Sequence, residues 1–209
     1  MELTSGPAAE VVSTADAKTW LRIDTSSDDT VIAAISVAAR RRLEEHTGRR
    51  FITQTWKLWL DAAPEFRDEP WWDGVREGSI RDLSQRGDEI DLKLAPVASI
   101  TSVKYYDRDN TEATFAAASY LFDGKSSPAR VILNAGYSWP SSLRDRNAIA
   151  VEMVLGYGAA GSNVPEPIQI AIKSLIAYMY ENRGESCTDG GIPGFIHSLV
   201  DPYVVKRVL

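Results

Sequence analysis

The hydrophobic residues of this chain change their spacing twice, and that double change limits what the chain can fold into. From Thr14 to Thr47 apolar side chains recur every three or four positions; in runs between Ile52 and Leu155, clearest over 52–60, 89–94 and 148–155 and broken by loops at 62–85 and 138–147, they alternate; from Pro165 to Val200 the wider spacing returns. The wider spacing lines up side chains on one face of a helix, and alternation lines them up on one face of a strand. The implied fold is α+β: a helical bundle from the N- and C-terminal segments with an inserted, mostly antiparallel β region. Residues 1–50 supply the first helices, 51–160 the β-rich insertion, and 161–209 the last helices and an extended tail, all in a single structural unit.

Local signals place the elements. A first helix fits Thr14 to Arg22, capped by Ser13 or Thr14, with Ala17, Trp20 and Leu21 on one face. A second fits Asp28 to Thr47, capped by Ser26 or Ser27 and ended by Gly48. Its apolar line is Val31, Ile32, Ile35, Ala39, Leu43 and His46. Strands are expected over 52–60, 89–94, 100–106, 130–133 and 148–155, with a turn at Asp109-Asn110. Pro165 and Pro167 open a long helix whose stripe is Ile168, Ile172, Leu175, Ile176, Met179 and Tyr180, with Gly184 at its end. A short helix from Pro193 to Val200 stops at Asp201-Pro202.

Composition excludes several functions. The net charge of −6 and pI near 5.0 argue against a dedicated nucleic-acid grip, which carries a basic face. The single cysteine, Cys187, rules out an intramolecular disulfide. No run reaches the roughly 18 apolar residues of a membrane span, and residues 1–10 lack the pattern of a signal peptide, so a soluble chain made in a cytoplasm is expected.

The motifs that suggest chemistry have simpler explanations. Gly156 to Gly161 spells G-x-G-x-x-G after a strand, but Ser162 to Pro165 separates it from the next helix. A dinucleotide site needs the glycines to run straight into the helix that holds the pyrophosphate. The reading is a strand-to-helix hinge. Asp107, Asp109, Asn110 and Glu112 faintly resemble a calcium loop without its glycine and distant glutamate, so a solvated hairpin tip is expected. His46 and His197 have no cysteine or carboxylate at ligand spacing, and Cys187 has no base beside it. No catalytic residue, cofactor or metal is expected.

Three segments suit contacts with other molecules. Trp71 and Trp72 lie in the long 62–85 loop, where they would touch a partner or stack on a sugar, or else cover the loop itself. A carbohydrate-binding or hydrolytic module using that pair is the alternative function. Arg40, Arg41 and Arg42 could meet phosphates in a DNA-binding assembly factor, although ion pairs with Glu44 and Glu45 explain them as well. The tail Tyr203, Val204, Val205, Lys206, Arg207, Val208 and Leu209 is apolar and β-prone. It could join a neighbour's sheet edge or fold back on its own chain.

The order of landmarks resembles the head-tail connector (adaptor, or head-completion) proteins of long-tailed phages and of the phage-derived gene transfer agents. The resemblance starts with Ala17-Lys18-Thr19-Trp20-Leu21-Arg22-Ile23-Asp24 and the helix ending in Glu45-His46-Thr47-Gly48-Arg49. It continues through Ile52-Thr53-Gln54-Thr55-Trp56, Pro96 to Val103, Gly156-Tyr157-Gly158, Val164 to Ile168, Tyr180 to Arg183, Leu199 and Pro202-Tyr203. It implies a non-enzymatic structural subunit, without catalytic or cofactor-binding residues, forming a ring of usually twelve copies beneath the portal protein. That ring would continue the DNA channel without gripping DNA and offer a platform to the tail-side stopper or connector protein. The subunit would reside in the particle neck, and in the host cytoplasm during assembly. The resemblance also implies that the 203–209 tail reaches the portal. The 62–85 loop departs from the compact members.

Overall fold

The computed structural model describes residues 1–64, 87–183 and 192–205. The chain divides into two compact units, each built from non-contiguous pieces. The helical unit comprises residues 5–54, 94–96 and 155–209; the β-rich unit comprises 1–4, 55–93 and 97–154.

In the helical unit, α1 spans Thr14–Leu21, α2 Asp29–Thr47, α3 Glu166–Glu181 and α4 Gly194–Val200. Ser13 caps α1 by accepting the Asp16 N–H at 3.1 Å. Neither Ser26 nor Ser27 caps α2 through its side chain. Asp28 occupies that position, and its carboxylate instead accepts the hydroxyl hydrogen bond of Tyr180 from the end of α3. Tyr180, read as part of the apolar stripe, therefore ties one helix start to another helix end. Gly48 ends α2 at φ +69°.

The core of this unit is one cluster. Ile32, Ala39 and Leu43 of α2 meet Ile168, Ala171, Ile172, Leu175 and Ile176 of α3, with Ile196 and Val200 of α4 closing the side. Burying each such aliphatic side chain is worth about 1.5–3 kcal/mol. Two expected core residues lie outside it: Val31 is 39% and Trp20 48% exposed. The buried face of α2 turns instead through Ser36, Arg40, Glu44 and Thr47. Helical spacing located the stripe, but polar residues with fixed partners widened it to one side.

The β-rich unit holds β1 (Glu2–Ser5), β2 (Gln54–Leu60), β3 (Glu89–Leu92), β4 (Val97–Tyr106), β5 (Glu112–Phe115), β6 (Tyr120–Asp123), β7 (Ala129–Leu133) and β8 (Ile149–Leu155). They form a five-stranded sheet in the order β1-β2-β8-β4-β5 and a three-stranded sheet in the order β3-β7-β6. The β4–β5, β3–β7 and β6–β7 pairs are antiparallel. β8 is central: Ile149, Val151, Met153 and Leu155 of one face are buried and so is Ala150 of the other, so its alternation is incomplete. The Asp109-Asn110 turn forms as expected: Asn110 takes φ +61° and the Asp107 carboxylate accepts the Asp109 and Thr111 N–H groups. Glu112, in the faint calcium pattern, is held by Lys104 and Tyr106 instead.

Candidate assembly site

The sequence points to the C-terminal segment, and the structure shows where that segment starts. After α4 the chain makes a tight turn over Asp201–Tyr203. The next residues settle against the end of α2. Val205 N–H donates to the Thr47 carbonyl at 2.8 Å, and Arg49 Nε donates to the Tyr203 carbonyl at 2.5 Å. Val205 also packs beside Gly48, whose φ of +69° is what favours glycine there. Tyr203, Val204 and Val205 are thus a docked root within the bundle and form no strand. Burial pushes the neighbouring Tyr157 hydroxyl above its ordinary value, with Arg49 opposing. Lys206, Arg207, Val208 and Leu209 lie outside the described residues, as do Trp71, Trp72 and Cys187.

The arginine run separates into two kinds of residue. Arg41 and Arg42 are exposed, but Arg40 is buried. Arg40 Nε donates to Glu10 at 2.6 Å, and its NH1 group donates to Glu44 at 2.8 Å. Burial alone would lower the Arg40 pKa; the bond to Glu10 and both carboxylate charges outweigh it and hold it above its usual value. Glu44 also accepts the Phe51 N–H at 2.8 Å and the Gln54 amide at 3.1 Å. Burial pushes its carboxyl upward, against the pull of the Phe51 N–H and of Arg40 and Arg50. The Glu44 ion pair foreseen from sequence is present, buried and shared, so a three-arginine phosphate grip is not available. The run offers Arg41 and Arg42 alone.

The glycine motif is a packing device. The chain here is pinned by hydrogen bonds from Tyr157 N–H to Phe51 and from Thr53 N–H to Gly158. At Gly156, φ +120°, a β-carbon would stand 2.6 Å from the Ile52 carbonyl; at Gly161 it would stand 2.1 Å from the Val11 carbonyl oxygen. The glycines serve backbone contact rather than a pyrophosphate.

The structure brings together three residues that sequence spacing kept apart. His46, in the last turn of α2, and His197 of α4 pack edge to face, with ring centres 4.6 Å apart. Both turn a nitrogen toward one oxygen of Asp201, His46 Nε2 at 3.7 Å and His197 Nδ1 at 3.9 Å. The expectation of no carboxylate partner for the histidines is therefore corrected: Asp201 serves both. The i, i+4 spacing of His197 and Asp201 was a readable sign; the arrival of His46 depended on the tertiary fold.

Two helix-bearing ends flank β strands, and chains of the same fold are found among solved structures. Residues 13–71 match the family model described as phage gp6-like head-tail connector protein. No curated protein sequence matches. Among solved structures, a chain in the neck of an empty gene transfer agent particle, computed with C6 symmetry, matches with a TM-score of 0.76 and 22% identity. The match covers 100% of this chain and 98% of that one. A chain from a native gene transfer agent virion matches at TM-score 0.72 and 20% identity, covering 99% and 98%. One from the native neck, computed with C12 symmetry, matches at 0.67 and 22%, again covering 99% and 98%. The chain has the α+β fold expected from its sequence, and its resemblance to head-tail connector proteins is borne out.

Proposed function

We propose that this protein is a structural subunit of the head-tail connector in the neck of a phage-like particle. The observation that carries the reading is the end-to-end likeness to a neck chain, with 100% of this chain and 98% of that one superposed, alongside the family match over residues 13–71. In this reading copies of the chain close into a ring, since head-to-tail packing of identical subunits closes when the rotation permits. The ring sits beneath the portal, continues the DNA channel and receives a tail-side protein. An acidic subunit suits a conduit that must let DNA pass, because like charge keeps phosphates from adhering. Its role is assembly rather than catalysis.

The 203–209 tail is the proposed portal contact. The docked root fixes where the segment leaves the bundle, so 206–209 would carry the contact while 203–205 orient it. Co-purification of the chain with its particle's portal protein tests this. The full chain should be retained, and a chain ending at Val205 should be lost from the complex while keeping its melting temperature. Equal retention of both would remove the tail from the portal interface.

A further inference from the structure

We propose that His46, His197 and Asp201 bind one divalent transition-metal ion of the zinc type at the foot of the C-terminal tail. The proposal rests on the helical unit's own geometry and is independent of the connector reading. Two imidazoles and a carboxylate suit zinc, nickel or copper, whereas calcium and magnesium prefer all-oxygen shells. The donor atoms of these three residues all lie within 4.8 Å of one another. Metal bonds of about 2.0–2.2 Å at tetrahedral angles set donors roughly 3.4 Å apart. The two separations to Asp201, 3.7 and 3.9 Å, need to close by a few tenths, and the two histidine nitrogens, which lie within 4.8 Å of each other, by no more than about 1.4 Å.

Two further observations favour an ion over a plain polar contact. His46 Nε2 is shut off from solvent and has no hydrogen-bond partner among the described residues, although it points at the Asp201 oxygen. Such a group is costly to leave unsatisfied, and coordination would satisfy it. The cluster also gathers the C-terminal ends of both α2 and α4, where unpaired carbonyls favour positive charge. Asp201 is 62% exposed, leaving a side open for water as a fourth ligand. Bound there, the ion would join the end of α2 to the residue just before the tail root, fixing the direction in which 203–205 leave.

The test uses the full chain, stripped of metal and titrated with Zn²⁺ by calorimetry and with Co²⁺ by visible absorption. One ion should bind per chain, raise the melting temperature, and give the spectrum of four-coordinate cobalt. His197→Gln and Asp201→Asn, both at partly exposed positions, should each weaken binding at least tenfold while leaving the circular dichroism spectrum unchanged; Cys187→Ser should bind as the wild type does. The proposal is overturned if wild type binds no more tightly than His197→Gln, or if Cys187→Ser abolishes binding.

Discussion

Replacing Arg40 with Met would strand the Glu44 carboxylate inside the bundle. Breaking a buried pair from one side costs about 3–5 kcal/mol, because the remaining charge has lost both water and partner. Arg50 also stabilises the charge on Glu44, so the loss should fall near the lower figure, about 3 kcal/mol, by urea denaturation. Two glycines give a second residue-scale expectation. Gly161→Ala drives a β-carbon into the Val11 carbonyl, backbone against backbone, and should cost about 3 kcal/mol or more. Gly194→Ala, with nothing within 4 Å, should change stability by less than about 0.5 kcal/mol.

At the scale of elements, the three-stranded sheet should be sensitive to acid. Arg130 of β7 bonds Glu89 of β3 at 3.0 Å and Asp123 of β6 at 3.2 Å, linking all three strands. Asp123 is held at a pKa of about 2 against an ordinary 3.8, first by the Ser126 hydroxyl and then by the Lys125 N–H. A depressed carboxylate pKa stabilises the folded state above about pH 4, and that contribution disappears as pH falls toward 2. Asp123→Asn should therefore melt below wild type at pH 6, with the gap narrowing between pH 4 and 2. A gap that stays constant across that range would show that the Asp123 charge contributes nothing. The elements also show what the sequence could reveal. Spacing together with cap and proline signals exposed α1 to α4, β2, β3, β4, β7 and β8, most clearly α2, α3 and β8, which bury a repeating face. It gave no range for β1, whose residues are all exposed, or for β5 and β6, none of whose residues is buried. The same rule placed Val31 inside and Arg40 outside, since periodicity cannot see that Glu10 lies ready to accept a buried guanidinium. Likewise the tail was visible as a contact segment, but not the docking of its root on Thr47 and Arg49.

For the whole molecule, assembly and charge give the remaining expectations. Removing 203–209 should lower the melting temperature as well as weaken portal binding, because it deletes the contacts of Val205 and Tyr203 with the α2 end; stopping at Val205 should affect binding alone. The isolated chain should show negligible DNA affinity even at low salt, given its net charge of −6 and the burial of Arg40. Measurable affinity with a salt slope that falls on replacing Arg41 and Arg42 would contradict a passive conduit. The most direct measurement of the connector role is cryo-electron microscopy of the particle neck with this chain carrying a small internal label. The account predicts a ring of labelled subunits beneath the portal, coaxial with the DNA channel. Intact necks without the label, or label confined to another part of the particle, would contradict it.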